Sequence, residues 1–133
     1  MKLNDYFKQG RARVWSETFA IVKAKTACLD AFAVIRDKNE ITCIINQAKM
    51  KEHRCLAVEP DFRIITFDMV LPFALVGFIA KVSRALAQDG ISICAISAYS
   101  TDHILVKGKD VIRAVNCLKS LGFIVEEDRA VTK

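Results

Sequence analysis

Two short segments hold the residues best suited to chemistry. Ser97, Ser100, Thr101 and Asp102 fall within six positions and offer three hydroxyls and a carboxylate around Tyr99. Upstream, the run from Asp68 through Val70, Leu71 and Phe73 to Ala74 and Leu75 leads out of an apolar strand into a segment whose spacing predicts a helix. The first amides of a helix have no partner within it and carry a partial positive charge, so those of Phe73, Ala74 and Leu75 are placed to hold a carboxylate. Asp102 or Asp68 would answer an ammonium group by a charge-assisted hydrogen bond. The candidate ligand-binding residues are therefore Asp68, Val70, Leu71, Phe73, Ala74, Leu75, Ser97, Ser100, Thr101 and Asp102. For Asp102 a second reading stands beside this one, a turn residue bonding its own backbone. Asp68 also reads as the solvent-facing member of an alternating strand, and Ser97 and Thr101, taken singly, as structural.

Other chemistry finds less support. No serine, cysteine or histidine stands in a recognisable nucleophile, base and acid arrangement, so no catalytic residue is expected and the reading is of a protein that is not an enzyme. Cys28, Cys43, Cys55, Cys94 and Cys117 are odd in number, lack C-x-x-C spacing and sit in apolar stretches, which reads as small buried hydrophobes kept reduced in the cytosol. His53 and His103 lie 50 positions apart, neither with a ligand partner on one helix face, so no metal or cofactor is expected. His103, inside a strand, reads as a satisfied core histidine, and Trp15 as a packing anchor.

The elements that must position the two segments are clearest in the second half. Arg63 to Val70 is rich in β-branched and aromatic residues and predicts a strand. From Ala74 to Gln88, Leu75, Ile79, Val82 and Leu86 recur at helical spacing, and Asp89-Gly90 ends the helix. Ile91–Ser97 and His103–Lys107 predict two more strands, Asp110 to Leu121 a second helix, and Phe123–Val125 a last strand. The order is β-α-β-β-α-β, a ferredoxin-like arrangement. In the first half, Thr18–Lys25, Ala31–Arg36 and Glu40–Asn46 predict three strands, the last two joined by a turn at Asp37-Lys38-Asn39, with no room for a helix between Lys25 and Ala31. The fold expected is α+β: two ferredoxin-like modules packed side by side, the first abbreviated, over residues 1–60 with an N-terminal extension and 61–133, divided at Glu59-Pro60-Asp61.

Composition narrows the partners. The chain has 133 residues, 53% of them hydrophobic and 26% charged, enough apolar material for a core. The longest uncharged apolar interval, Met69 to Ala80, is 12 residues and contains Pro72, short of the roughly 20 a membrane-spanning helix needs. Most of the net charge of +5 lies in residues 1–60, where basic residues are scattered singly and form no phosphate-binding stripe. The His103–Lys107 strand lacks the exposed aromatics of an RNA-recognition sheet. A cytosolic protein without nucleic-acid or membrane partners is expected.

Leu71-Pro72-Phe73-Ala74-Leu75-Val76-Gly77-Phe78-Ile79-Ala80, Asp89-Gly90-Ile91-Ser92-Ile93 and above all Ala95-Ile96-Ser97-Ala98-Tyr99-Ser100-Thr101-Asp102-His103-Ile104-Leu105-Val106 resemble the small tandem ACT-domain proteins of bacteria. These are similar to the ACT modules of aspartate kinases and to the arginine-sensing CASTOR proteins, and Phe62-Arg63 resembles the aromatic-Arg pair that opens their second module. The resemblance implies two ACT-like modules, a homodimer, an amino-acid or small-carboxylate pocket between modules, and a regulatory role toward a protein partner. An alternative is a protein-protein interaction or dimerisation module whose ligand site has decayed. The departures are Met69 where the family has Gly, Ala74, Val76 and Ala98 where it has hydroxyls, Ser100 where it has Asp and His103 where it has Tyr. Three lost ligand hydrogen bonds at roughly 0.5 to 1.5 kcal/mol each would lower affinity by about one to three decades.

Overall fold

The computed structural model describes residues 1–129, so the last four positions of the expected second module lie outside the described residues. The chain falls into two compact units, one of residues 17–62 and one that joins residues 1–16 to residues 63–129. Residues 1–16, expected with the first module, belong with the second unit.

In the unit of residues 17–62, β2 (Phe19–Ala24), β3 (Ala33–Arg36), β4 (Ile41–Asn46) and the first part of β5 (Cys55–Phe67) form an antiparallel sheet in the order β3-β4-β2-β5. The β3–β4 turn is where its residues predict it, with Asp37 Oδ1 accepting from the amides of Asn39 and Glu40 at 2.7 and 2.9 Å. Those two amides hold the Asp37 carboxyl below its usual range. The strands are short, and the core is built from small side chains: Ala20, Val22, Ala24, Cys28, Cys43 and Ile45. Burial pushes the Cys28 thiol up to about 11, as expected of an inert, packed cysteine. No α-helix interrupts the strands of this unit; a 3-10 turn at Gln47–Glu52 leads from β4 into β5.

The expected boundary at Glu59-Pro60-Asp61 lies within β5, just before the division between the units at Phe62 and Arg63. Pro60 and Asp61 are accommodated by a register shift against β2, where Phe62 faces Phe19 but Glu59 faces Ile21. Asp61 takes a positive φ of 69°. Its conformation is held by reciprocal bonds with Gln47, the Asp61 amide donating at 2.8 Å and the Gln47 amide group donating back at 2.9 Å. Turn-forming residues here make a β-bulge in place of a linker.

The other unit contains the expected β-α-β-β-α-β order: the end of β5, α2 (Phe78–Gln88), β6 (Cys94–Ser97), β7 (Asp102–Lys107), α3 (Val111–Leu121) and β8 (Ile124–Glu127). What the pattern did not reveal is β1 (Arg11–Val14), which follows a short helix α1 (Leu3–Lys8) and enters this sheet between β5 and β8. It runs antiparallel to β5, Ala12 facing Phe67 and Val14 facing Ile65, and parallel to β8. The resulting order is β6-β7-β5-β1-β8. Alternate residues Ala12, Val14, Ile65, Phe67, Ile104 and Val106 meet Val82, Leu86, Ala114 and Leu118 of α2 and α3 in one core. At one end of it four rings interlock: Phe67 stands edge-on to Phe78 at 5.1 Å, Phe123 contacts both, and Phe7 contacts Phe78 and Phe123. Gly122 ends α3 at φ 114°, and a Cβ there would come 2.7 Å from the Phe7 carbonyl oxygen, so α1 can lie against this turn only because the residue is glycine. Asp110 does not cap α3 as its type suggests; a 3-10 turn precedes the helix and the Asp110 carboxylate accepts from Arg113 at 3.0 Å.

Candidate functional site

The helix expected from Ala74 begins at Phe78. Gly77 precedes it in the left-handed region at φ 92°, and the Leu75 amide donates to the Pro72 carbonyl at 3.0 Å, so residues 72–75 form a turn. Leu75 still packs on the core, which is why it extends the helical periodicity although its backbone is not helical. The open helix-start amides therefore belong to the first turn of α2, and not to Phe73, Ala74 and Leu75. Gly77 offers no side-chain cap of its own.

The turn is fastened to the β6–β7 hairpin. The Leu71 amide donates to the Ser100 carbonyl at 2.7 Å, and the Phe73 and Tyr99 rings meet edge-to-face at 5.2 Å, although both are about four-fifths exposed. Within the hairpin Ser97 faces Asp102 across the ladder, and the Ala98 amide donates to Thr101. Between the fastened loop, the start of α2 and the hairpin lies a cavity of about 260 Å³.

Of the candidate residues, Leu71, Phe73, Leu75, Ser97, Thr101 and Asp102 line this cavity, all within the unit of residues 63–129. Asp68, Val70, Ala74 and Ser100 are not among its lining. Asp68 lies 3.6 Å from the Arg13 guanidinium, Val70 and Ala74 are exposed, and Ser100 contributes its carbonyl to the loop contact. Thr101 donates its hydroxyl proton to the Phe67 carbonyl at 2.5 Å, leaving only acceptor capacity toward the cavity. The remaining lining comes from Pro72, Gly77, Phe78, Ile79, Ala80, Ala98 and Tyr99. Gly77 was the signal for the helix-start group, since a glycine before a long apolar helix marks a place where the chain can reverse direction. Ala74 and Val76, counted as lost hydroxyls, do not line the cavity; Ala98 alone of the three does. One missing hydrogen bond, about 0.5 to 1.5 kcal/mol, would cost roughly one decade of affinity at most, against the three expected from the lost hydroxyls.

His103 and Trp15 lie outside the cavity lining. The Trp15 indole donates to Thr66 Oγ1 at 2.8 Å, and the same oxygen lies 2.7 Å from His103 Nδ1. The Thr66 hydroxyl thus accepts from the indole and still has a proton that a neutral imidazole can accept at Nδ1. Burial holds the His103 pKa below its ordinary value near 6.5, and the Asp102 charge opposes this only in part. A histidine kept neutral by folding takes up its proton first in the unfolded chain. Its contribution is therefore complete above about pH 6.5 and falls as the pH drops from there to the depressed folded value. Urea denaturation between pH 7.5 and 5 should show this loss, and His103→Gln should flatten the profile; an unchanged slope in that variant would show that other groups cause it.

Residues 57–120 match the family model of the ACT domain, as the segments around Leu71–Ala80 and Ala95–Val106 led one to expect. No curated protein matches the chain. Among solved structures, a protein from Agobacterium tumefaciens is similar with a TM-score of 0.79 at 17% identity, over 94% of this chain and 98% of the other. A protein of unknown function from Vibrio cholerae follows with 0.74 at 21% identity, over 90% and 95%. The regulatory subunit of aspartate kinase from Thermus thermophilus has a TM-score of 0.65 at 10% identity, over 84% and 95%. These likenesses establish the fold: α+β, ferredoxin-like modules in tandem, as in aspartate kinase regulatory subunits. Among the described residues no helix is long and apolar enough to cross a membrane.

Proposed function

We propose, from the ACT-domain match over residues 57–120, that this chain is a non-catalytic regulatory protein whose cavity binds an amino acid. The observation that carries the reading is the convergence on one cavity of the uncapped start of α2 and the Asp102 side chain. The helix-start amides from Gly77 to Ala80 supply donors for an α-carboxylate, and Asp102 supplies the acceptor for the ammonium group. Leu71, Phe73, Ile79 and Tyr99 leave an apolar remainder, so amino acids with small or medium apolar side chains are favoured over charged ones. Occupancy bridges the loop, the helix start and the hairpin, and the signal is the stiffening of that exposed loop.

Calorimetric titration against the twenty amino acids tests this. At least one apolar amino acid should give heat and raise the melting temperature, and Asp102→Asn should weaken it about 10- to 150-fold, the range for losing a hydrogen bond to a charged group. The reading fails if no amino acid binds, or if Asp102→Asn binds as tightly as the wild type. A second reading, a protein-interaction or homodimerisation module, is favoured by β3, an edge strand on which Val34 and Ile35 are 42% and 49% exposed. Absence of heat together with a dimer in light scattering would select it.

A further inference from the structure

In the unit of residues 17–62, three side chains unconnected with the cavity converge from two segments. Asp30 comes from the loop after β2, and Glu52 and His53 from the end of the 3-10 turn that follows β4. One potential ligand atom from each lies within 4.8 Å of the other two. Both segments are anchored. The loop is held by buried Cys28 and by the Phe32 amide bonded to the Ile44 carbonyl at 2.8 Å. The turn is held by Asn46, which accepts from the Ala48 amide, and by Met50 packed on the core.

The state of His53 indicates what the cluster lacks. Its Nε2 is shut off from solvent and lies 3.0 Å from Asp30 Oδ1, yet has no hydrogen bond of acceptable geometry. With a proton on Nε2, the N–H is fixed in the ring plane and does not point along that line. A neutral ring with the proton on Nδ1 sets a lone pair against carboxylate lone pairs, which is unfavourable unless a cation stands between them. Donors about 2.0 to 2.2 Å from a zinc ion and at tetrahedral angles lie about 3.3 Å apart; His53 Nε2 and Asp30 Oδ1 are 3.0 Å apart, and the donor atoms of all three residues lie within 4.8 Å of one another. Lys49 Nζ approaches Asp30 at 3.9 Å, but toward Oδ2, leaving Oδ1 facing the imidazole.

We propose that Asp30, Glu52 and His53 form a binding site for a first-row divalent metal ion. One imidazole nitrogen with two carboxylates suits zinc, cobalt or nickel, whereas magnesium and calcium take oxygen donors alone. Three protein ligands leave a position for water or for an external donor. Spacing along a helix face could not reveal such a group, because its members come from a loop and a turn 22 residues apart.

The full chain, stripped by chelator, is titrated with Zn²⁺ by calorimetry and with Co²⁺ by absorption. The expected result is one ion per chain, a raised melting temperature, and cobalt d–d bands without the intense thiolate charge-transfer band that cysteine ligation would give. His53→Gln should weaken binding at least about 100-fold, since loss of a ligand costs more than loss of its supporting contacts. His103→Gln should leave it unchanged. If His53→Gln does not fold, as judged by circular dichroism, the exposed Glu52→Gln takes its place and should weaken binding too. Absence of binding, a thiolate band, or binding unaltered in whichever of these two variants folds would overturn the proposal.

Discussion

Deleting residues 1–16 abolishes the cooperative unfolding transition of the unit that contains the cavity. The segment supplies β1, the strand that joins β5 to β8, and without it β8 loses its ladder of parallel bonds from Ile124 to Glu127. It also removes Phe7, Ala12 and Val14, each at most 2% exposed, from the core. Full burial of a large apolar side chain contributes about 1.5 to 3 kcal/mol, and an ordinary domain is stable by only about 5 to 15 kcal/mol. Two such side chains, the alanine and a strand ladder exceed what the unit can lose. The Arg11 and Arg13 ion pairs with Glu126, Asp128 and Asp68 add little, being exposed. Near-ultraviolet circular dichroism and thermal melting check the result. A truncated chain that melts like the full one would show that β1 is dispensable to this unit.

Phe67→Ala lowers the unfolding free energy by about 3 to 5 kcal/mol, the range for a phenylalanine removed from a closed core. Phe67 is fully buried and contacts Phe78 at the start of α2 and Phe123 between α3 and β8, which cannot both move into the space. Phe67→Leu keeps most of the volume and loses the ring contacts, so it should cost only about 1 kcal/mol. Urea denaturation distinguishes them by midpoint at constant slope. Equal losses in the two variants would mean that ring geometry, not cavity formation, dominates. Because Phe67 also accepts the Thr101 hydroxyl through its carbonyl, the same strand end supports the cavity wall, and Phe67→Leu should leave ligand binding intact.

Sequence pattern revealed the second unit well where a single face is buried against a single core. Val82 and Leu86 recur at helical spacing among more exposed residues, and Ile104, Leu105 and Val106 form a continuous buried run, and the elements lie where those patterns place them. It failed where the same types of residue serve another geometry. Leu75 keeps helical phase from within a turn, Pro60 and Asp61 bend a strand without ending it, and Arg11–Val14 is too short for its alternation to stand out. The cavity was legible in part for the same reason: Ser97, Thr101 and Asp102 are polar residues in an apolar stretch, whereas Gly77 and Ala80 contribute through backbone, which side-chain chemistry does not advertise. The Asp30, Glu52 and His53 cluster left no local signal because its parts meet only after β2 and β4 pair.

The place of β1 sets a schedule for the chain as it leaves the ribosome. Its parallel neighbour β8 follows more than a hundred residues later, so this sheet cannot be completed until those residues have been made. In the intervening residues 17–62, strands β2, β3 and β4 pair with one another and with the first part of β5. They can pair early, while Arg11–Val14 waits as an unpaired edge, the kind of surface that chaperones cover and that aggregation exploits. Two arginines alternate with the apolar residues of that strand, and the charge repulsion between copies protects it during the wait.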